Sequence, residues 1–342
     1  MEPQTKRWKG SVCDADSWVP YPVLSDEQSQ EVELVDAFAA PIIDKKATSR
    51  LVRELNSLYP LSGLQHIKRV RACKDKNGPH PLEVLLCLVS NAPDMKGVSI
   101  DSLLPSDEAK WEGLGEPFVV QIPVRPPLTR PQFERASQRW PTSFHEDKQV
   151  TVALKGELFS PQQKASMHMY MTAALTAAKA AKDLGMEAVG AVVVDPEKEQ
   201  IIAVGHDCRG NHPLHHAVMV CIDLVAQSQG GGCYCFDNFT ACRFMSPNMD
   251  PNARDLEAGP QPYICTGYDL YVTREPCVMC SMALVHSRIG RVFYGTASAD
   301  GALGTKFKIH SQKDLNHRFE VFRGVLSDQC EDLNRMCDLI KV

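Results

Sequence analysis

Apolar positions along the chain fall into two blocks with different spacing. In the first block, Val32 to Ile43 reads as a strand. Thr48-Ser49 can cap a helix running to about Leu58, with Leu51, Val52, Leu55 and Leu58 on one face and Pro60 beyond its end. His66 to Cys73 alternates as His-Ile-Lys-Arg-Val-Arg-Ala-Cys, which predicts a strand with basic side chains outward. Lys76-Asn77-Gly78-Pro79 predicts a turn and Leu82 to Val89 a buried strand. Ser99 to Leu104 predicts a short helix, and Pro117 to Val124 a last strand. The order β-α-β-β-α-β is that of an α+β ferredoxin-like domain, with the second helix its weakest element.

Arg125-Pro126-Pro127-Leu128-Thr129-Arg130-Pro131 marks a boundary, since proline-rich sequence is stiff and extended. Phe133 to Trp140 predicts a short helix stopped by Pro141, with Trp140 packing at the junction. Beyond it the pattern becomes α/β. Pro161 opens an alanine-rich helix that runs to about Leu184, and Gly185 ends it. Val189 to Val194 is a buried strand paired with Gln200 to Gly205. A helix follows His216, a strand Tyr268 to Thr273 leads into a helix at Cys277, and strands follow at Arg291 to Tyr294 and Phe319 to Phe322. Asp328 to Ile340 is a terminal helix. The alternation predicts a sheet with helices on both faces. The expected division is an N-terminal domain at 1–124, a linker at 125–159 and a second domain at 160–342. Within the latter, 227–262 reads as a flexible insert. Cys233, Cys235 and Cys242 in that insert are a weak second metal motif, having no histidine beside them in sequence.

Composition narrows the picture only in places. The 342 residues, 44% hydrophobic and 23% charged, fit a globular protein of two ordinary domains. No run of about 18 apolar residues occurs, so no membrane span or membrane partner is expected. Met1 to Gly10 is charged and lacks the apolar core of a secretion signal. With thirteen cysteines, an odd number, this predicts a reducing compartment and a metal site over a disulfide framework. The formal net charge of -5 excludes a uniformly basic nucleic-acid binder. One window departs from it. Lys45, Lys46, Arg50, Arg53, Lys68, Arg69, Arg71, Lys74 and Lys76 face only Glu54 and Asp75, nine against two, or +7. Such a surface could neutralise phosphates, or be a solvated charged face.

The chemistry is concentrated in His216-Ala217-Val218 and Pro276-Cys277-Val278-Met279-Cys280. Together they read as the zinc motif H-x-E…P-C-x-x-C of nucleobase deaminases, with valine in the glutamate's place. His216, Cys277 and Cys280 can hold one Zn²⁺ through a nitrogen and two sulfurs, leaving a fourth position. The missing glutamate is the group that moves the proton. An isopropyl group cannot, so no residue is assigned a catalytic role. Glu275 and Asp223 are the nearest carboxylates in sequence that could substitute. A structural zinc would be closed, and the free carboxylate of Val342 is one candidate fourth ligand, against a water on the metal and a frayed terminus. His212 and His215 read as polar loop residues beside the site.

Four segments resemble the tRNA adenosine deaminase family, over roughly Ser160 to Val342. They are the alanine-rich helix with Gly185-Met186-Glu187-Ala188-Val189-Gly190-Ala191-Val192, then His216-Ala217-Val218-Met219, then Thr273-Arg274-Glu275-Pro276-Cys277-Val278-Met279-Cys280, then Arg291-Val292-Phe293-Tyr294-Gly295. The valine and the long N-terminal half are similar to the third-type, catalytically deficient subunit of the eukaryotic enzyme. The resemblance implies a cytidine-deaminase-like α/β sheet and a non-catalytic zinc-binding subunit in a heterodimer that converts wobble adenosine to inosine in tRNA anticodons. It implies a catalytic partner with an intact His-Ala-Glu, tRNA as the other partner, and a location in cytoplasm and nucleus. Two rival readings are an active deaminase using another acid–base residue, and a zinc-stabilised scaffold without an RNA role.

Overall fold

The structure, a computed structural model, describes residues 18–73, 80–91, 100–104, 111–245 and 262–338. Lys74, Lys76, the Lys76–Pro79 turn, most of the Asp255–Pro262 tail and Val342 lie outside the described residues. The chain divides into two compact units, residues 26–151 and residues 1–25 with 152–342.

In the unit 26–151, after a one-turn helix at Asp26–Ser29, the main elements are β1 (Leu34–Ile42), α1 (Thr48–Leu58), β2 (Val70–Ala72), β3 (Leu82–Leu88), α2 (Ile100–Leu103), β4 (Phe118–Pro123) and α3 (Arg130–Arg139). The sheet runs β2-β3-β1-β4 with every pair antiparallel, the ferredoxin-like order. Its second helix, α2, is a single turn of 4 residues. Alternation along β1 sends Phe38, Ala40 and Ile42 toward Leu51 and Leu55 of α1. Ala37 and Ala39 face the other way, into a second core with Ile122 and Trp140.

Two expectations change here. The helix expected at Phe133 to Trp140 starts earlier, at Arg130 inside the proline-rich stretch. Thr129 accepts from the Gln132 backbone N–H, and the Gln132 side chain accepts from the Thr129 N–H, a capping box that starts α3. The buried Gln132 amide also donates to the Glu27 and Gln30 carbonyls at 2.8 and 3.0 Å. Trp140 is fully buried within this unit, its indole donating to the Lys68 carbonyl at 2.6 Å. The basic strand is also shorter than the alternation predicts, at 3 residues, because Arg69 turns inward.

In the other unit the elements are α4 (Pro161–Asp183), β5 (Gly190–Asp195), β6 (Gln200–His206), α5 (Ala217–Ser228), β7 (Arg243–Phe244), β8 (Asp269–Arg274), α6 (Val278–His286), β9 (Arg291–Thr296), β10 (Glu320–Arg323) and α7 (Ser327–Asp338). The sheet order is Tyr21–Pro22, then β10-β9-β8-β5-β6-β7. The pairs β8·β9 and β9·β10 are parallel and the rest antiparallel. Both faces are buried, as the continuous apolar runs require. Ala191, Val193, Leu270, Val272 and Val292 join a core with α5 and α6. Val192, Val194, Tyr271, Phe293 and Phe322 join another with α4 and α7.

The insert is only partly a loose loop. Residues 227–245 pack: Phe236 and Cys242 are buried, and Arg243–Phe244 adds β7 to the sheet edge. Residues 246–261 lie outside the described residues.

One glycine sets how closely α4 lies on the sheet. A Cβ on Gly190 would collide with the Ala174 carbonyl oxygen and lie 2.7 Å from the Ala178 backbone nitrogen. Neither backbone atom can turn aside as a side chain could. Gly190→Ala is therefore expected to cost at least about 3 kcal/mol, read as a lower urea midpoint. A cost below about 1 kcal/mol would show that α4 can shift without loss.

Candidate metal centre

Two helix N-termini converge to build the site. His216 is the N-cap of α5 and Cys277 the N-cap of α6; neither side chain caps its own helix, so both stay free to act elsewhere. Cys280 lies in the first turn of α6, one turn from Cys277 and on its side. One ligand atom from each of His216, Cys277 and Cys280 lies within 4.8 Å of the others. The Cys277 sulfur is 3.7 Å from His216 Nδ1. A tetrahedral zinc with bonds of about 2.3 Å to sulfur and 2.0–2.1 Å to nitrogen would separate such a pair by about 3.6 Å. The donor set and its spacing fit the ion.

Electrostatics favour thiolate. The Cys277 thiol is held down to about 5, first by a hydrogen bond from the Cys280 thiol and against the opposing effect of burial. The backbone N–H groups of Cys280 and Met279 at the helix start, and nearby His216, help. Cys280 is pushed up, chiefly by its bond with Cys277 and then by burial.

A cavity of about 150 Å³ opens on these ligands, with Val218, Asp207, Arg274 and Glu275 among its walls. Val218 is 3% exposed and brings only methyl groups. Both sequence candidates for a replacement base are committed elsewhere. The Glu275 carboxylate accepts from the backbone N–H groups of Leu303 and Thr305 at 3.0 Å each and of Ser298 at 3.2 Å, and from the Thr305 hydroxyl. A Cβ on Gly301 would strike that carboxylate, so the loop depends on the glycine to close over it. Asp223 accepts from the Cys233 and Tyr234 N–H groups at 2.9 and 3.3 Å, and so holds the insert.

His215 is a correction to the polar-loop expectation. It is 4% exposed, and its ring lies 4.4 Å from Tyr234 and 5.3 Å from Phe236, centroid to centroid. It belongs to an aromatic cluster with the insert and is not among the grouped ligands. Sequence reading also passed over Asp207 and Arg209. They form a 2.6 Å ion pair on the cavity wall, with Asp207 buried. A lone Asp-x-Arg carries no signal of that.

The basic window splits in two. Arg69 is buried and points inward, donating to the carbonyls of Leu55 at 2.7 Å, Tyr59 at 2.9 Å and Leu86 at 3.3 Å. It closes the C-terminal end of α1, where a cation is favoured, and the strand begins only after it, at Val70. Burial lowers its pKa to about 10, still a cation at neutral pH. Arg71 is ion-paired with Glu83 at 2.5 Å and stacks over Trp140 at 4.2 Å. Neither presents a free charge to phosphate. Arg50 donates to the Glu112 carbonyl at 2.7 Å. Lys45, Lys46, Arg53 and Lys68 are exposed.

Known proteins share this arrangement of segments. A family model described as the cytidine and deoxycytidylate deaminase zinc-binding region matches residues 164–296, which include all three grouped ligands. A model of the tRNA-specific adenosine deaminase TAD3 N-terminal domain matches residues 35–140. A Danio rerio protein named "probable inactive tRNA-specific adenosine deaminase-like protein 3" is 62% identical, over 97% of this chain and 99% of its own. The chain belongs to the TAD3 family. A Homo sapiens TAD3-family protein with the same name is 56% identical over 93% of this chain and 92% of its own. A Saccharomyces cerevisiae protein named "tRNA-specific adenosine deaminase subunit TAD3" is 27% identical over 82% and 81%. The TAD3 N-terminal match ends at Trp140, at the end of the capped helix α3.

Proposed function

We propose that this chain is a non-catalytic, zinc-binding subunit of a tRNA adenosine deaminase, acting beside a catalytic subunit that carries an intact His-Ala-Glu. The observation that carries the reading is Val218, buried on the wall of the metal cavity while Glu275 and Asp223 are tied to backbone N–H groups. General acid–base help is worth about 10²–10⁴-fold in rate, and no group at this position can supply it. His216, Cys277 and Cys280 would hold the zinc. There the ion draws the starts of α5 and α6 together, and its chemistry in this subunit is structural. Wobble adenosine in a tRNA anticodon is the substrate of the assembled enzyme.

The isolated full chain is expected to deaminate neither adenosine in tRNA nor free cytidine, and to support turnover only when mixed with the catalytic subunit. Turnover by the chain alone, abolished by Cys277→Ala, would overturn the reading.

The N-terminal unit is proposed to reach tRNA phosphates through Lys45, Lys46, Arg53 and Lys68, which are exposed. Being on the same chain, these cations act at high effective concentration. Reversing the four charges is expected to weaken tRNA binding by the complex about equally across tRNA sequences. It should also flatten the dependence on log salt by about 0.7–0.9 for each phosphate that is no longer neutralised. An unchanged slope in the folded variant removes these side chains from the interface. Reversal of Arg71 would instead break its pair with Glu83 and report on stability.

A further inference from the structure

A second group of ligands lies apart from the deaminase motif. His206 ends β6, Cys208 follows two residues on, and Cys242 comes from the insert just before β7. Their exposures are 0%, 0% and 6%, and one ligand atom from each lies within 4.8 Å of the others. The Cys208 sulfur is 3.6 Å from His206 Nδ1 and 3.8 Å from the Cys242 sulfur. Around a tetrahedral zinc the expected separations are about 3.6 Å for nitrogen to sulfur and about 3.8 Å for sulfur to sulfur. These two pairs stand at the spacing the ion would impose, and His206 Nδ1 also lies 2.8 Å from the Asp207 carbonyl oxygen.

One further feature points the same way. The backbone N–H of His206 donates to the Cys242 sulfur at 3.4 Å, the outer-shell bond that steadies a metal thiolate. His206 is fully buried, yet its Nε2 has no hydrogen-bond partner. Binding an ion through Nδ1 would replace its bond to the Asp207 carbonyl and leave the ring proton on Nε2. The weak sequence motif Cys233, Cys235 and Cys242 is corrected in the process. Cys233 and Cys235 are exposed, and Cys242 finds its partners on the neighbouring strand end.

We propose that His206, Cys208 and Cys242 bind a second zinc ion, or another thiophilic divalent cation of the same size, as a structural site. The ion would pin the insert to the sheet edge, since Cys242 lies on the insert and the other two ligands on the end of β6. It would also fix Asp207. That residue sits between two of the ligands and reaches the wall of the first metal cavity with its partner Arg209. A fourth ligand would come from outside these three side chains, since structural zinc is four-coordinate.

The test is metal content of the full chain by native mass spectrometry and elemental analysis, after purification in zinc and removal of loose metal. Two zinc ions per chain are expected, falling to one in Cys242→Ser and to one in Cys280→Ser. A wild-type chain with one ion overturns the proposal, and so does a Cys242→Ser protein that keeps two. A disulfide between Cys208 and Cys242 in peptide mapping overturns it as well. A residue-resolved measurement on the wild type stands beside these, in case the variant does not fold. Added chelator should make Cys208 and Cys242 alkylate faster by tenfold or more, while Cys330, buried without a ligand role, stays shielded. Unchanged labelling of Cys208 and Cys242, with Cys277 and Cys280 responding, would count against the site.

Discussion

Cys280→Ser is expected to destabilise the C-terminal unit by several kcal/mol more than Cys330→Ser. Both thiols are buried, at 2% and 0% exposure, and both changes put a hydroxyl in place of a sulfur. They differ in one respect: Cys280 is grouped with His216 and Cys277, while Cys330 packs in the apolar core between α4 and α7. An ion held at a thousand times its dissociation constant adds about 4 kcal/mol to the folded state, and two remaining protein ligands hold zinc poorly. The excess should therefore be about 4 kcal/mol in zinc-containing buffer. The measurement is chemical denaturation of the two variants side by side. Equal losses would mean that the site contributes nothing to stability, and that His216, Cys277 and Cys280 sit together without an ion.

β5, β8 and β9 were readable because strands buried on both faces are runs of apolar residues, and α4 because Ser160, Pro161 and Gly185 mark its ends. The grouping of His216, Cys277 and Cys280 was readable because its members fall in two short contiguous segments. Arg69 was not. Along an alternating strand a cation reads as outward, and nothing local reveals that α1 ends beside it with carbonyls in need of a donor. The insert misled for a similar reason. Its glycines and prolines look like loop, while its order rests on single buried residues, Phe236 and Cys242, whose partners lie on other elements. The grouping of Cys242 with His206 and Cys208 spans 36 residues of chain and appears only once the sheet edge is formed. Glu275 is the clearest case. It stands inside the motif, two residues before Cys277, and sequence adjacency made it a candidate base, yet its hydrogen-bond donors at Ser298, Leu303 and Thr305 all lie in the loop Ser298–Thr305.

That placement gives Glu275 a large and specific stability role. The carboxylate is 3% exposed and gathers three backbone N–H groups and one hydroxyl. Removing it leaves those donors buried without an acceptor, each costing about 1–3 kcal/mol unless the loop opens to water. Glu275→Ala is expected to lose about 3–5 kcal/mol, the scale seen when one partner of a buried charged pair is deleted. Glu275→Gln keeps the shape but turns an N–H₂ toward backbone N–H groups, so it should still cost about 2 kcal/mol. Thr305→Val removes only the hydroxyl and should cost about 1–2 kcal/mol; combined with Glu275→Gln the losses should fall short of additive, because the two groups share a bond. Urea midpoints of the four proteins check this. In the assembled deaminase, activity of Glu275→Gln should follow the folded fraction and recover at lower temperature. A Glu275→Gln protein within about 1 kcal/mol of wild type that nonetheless abolished deamination at every temperature would return Glu275 to the chemistry and undo the assignment of this cavity as non-catalytic.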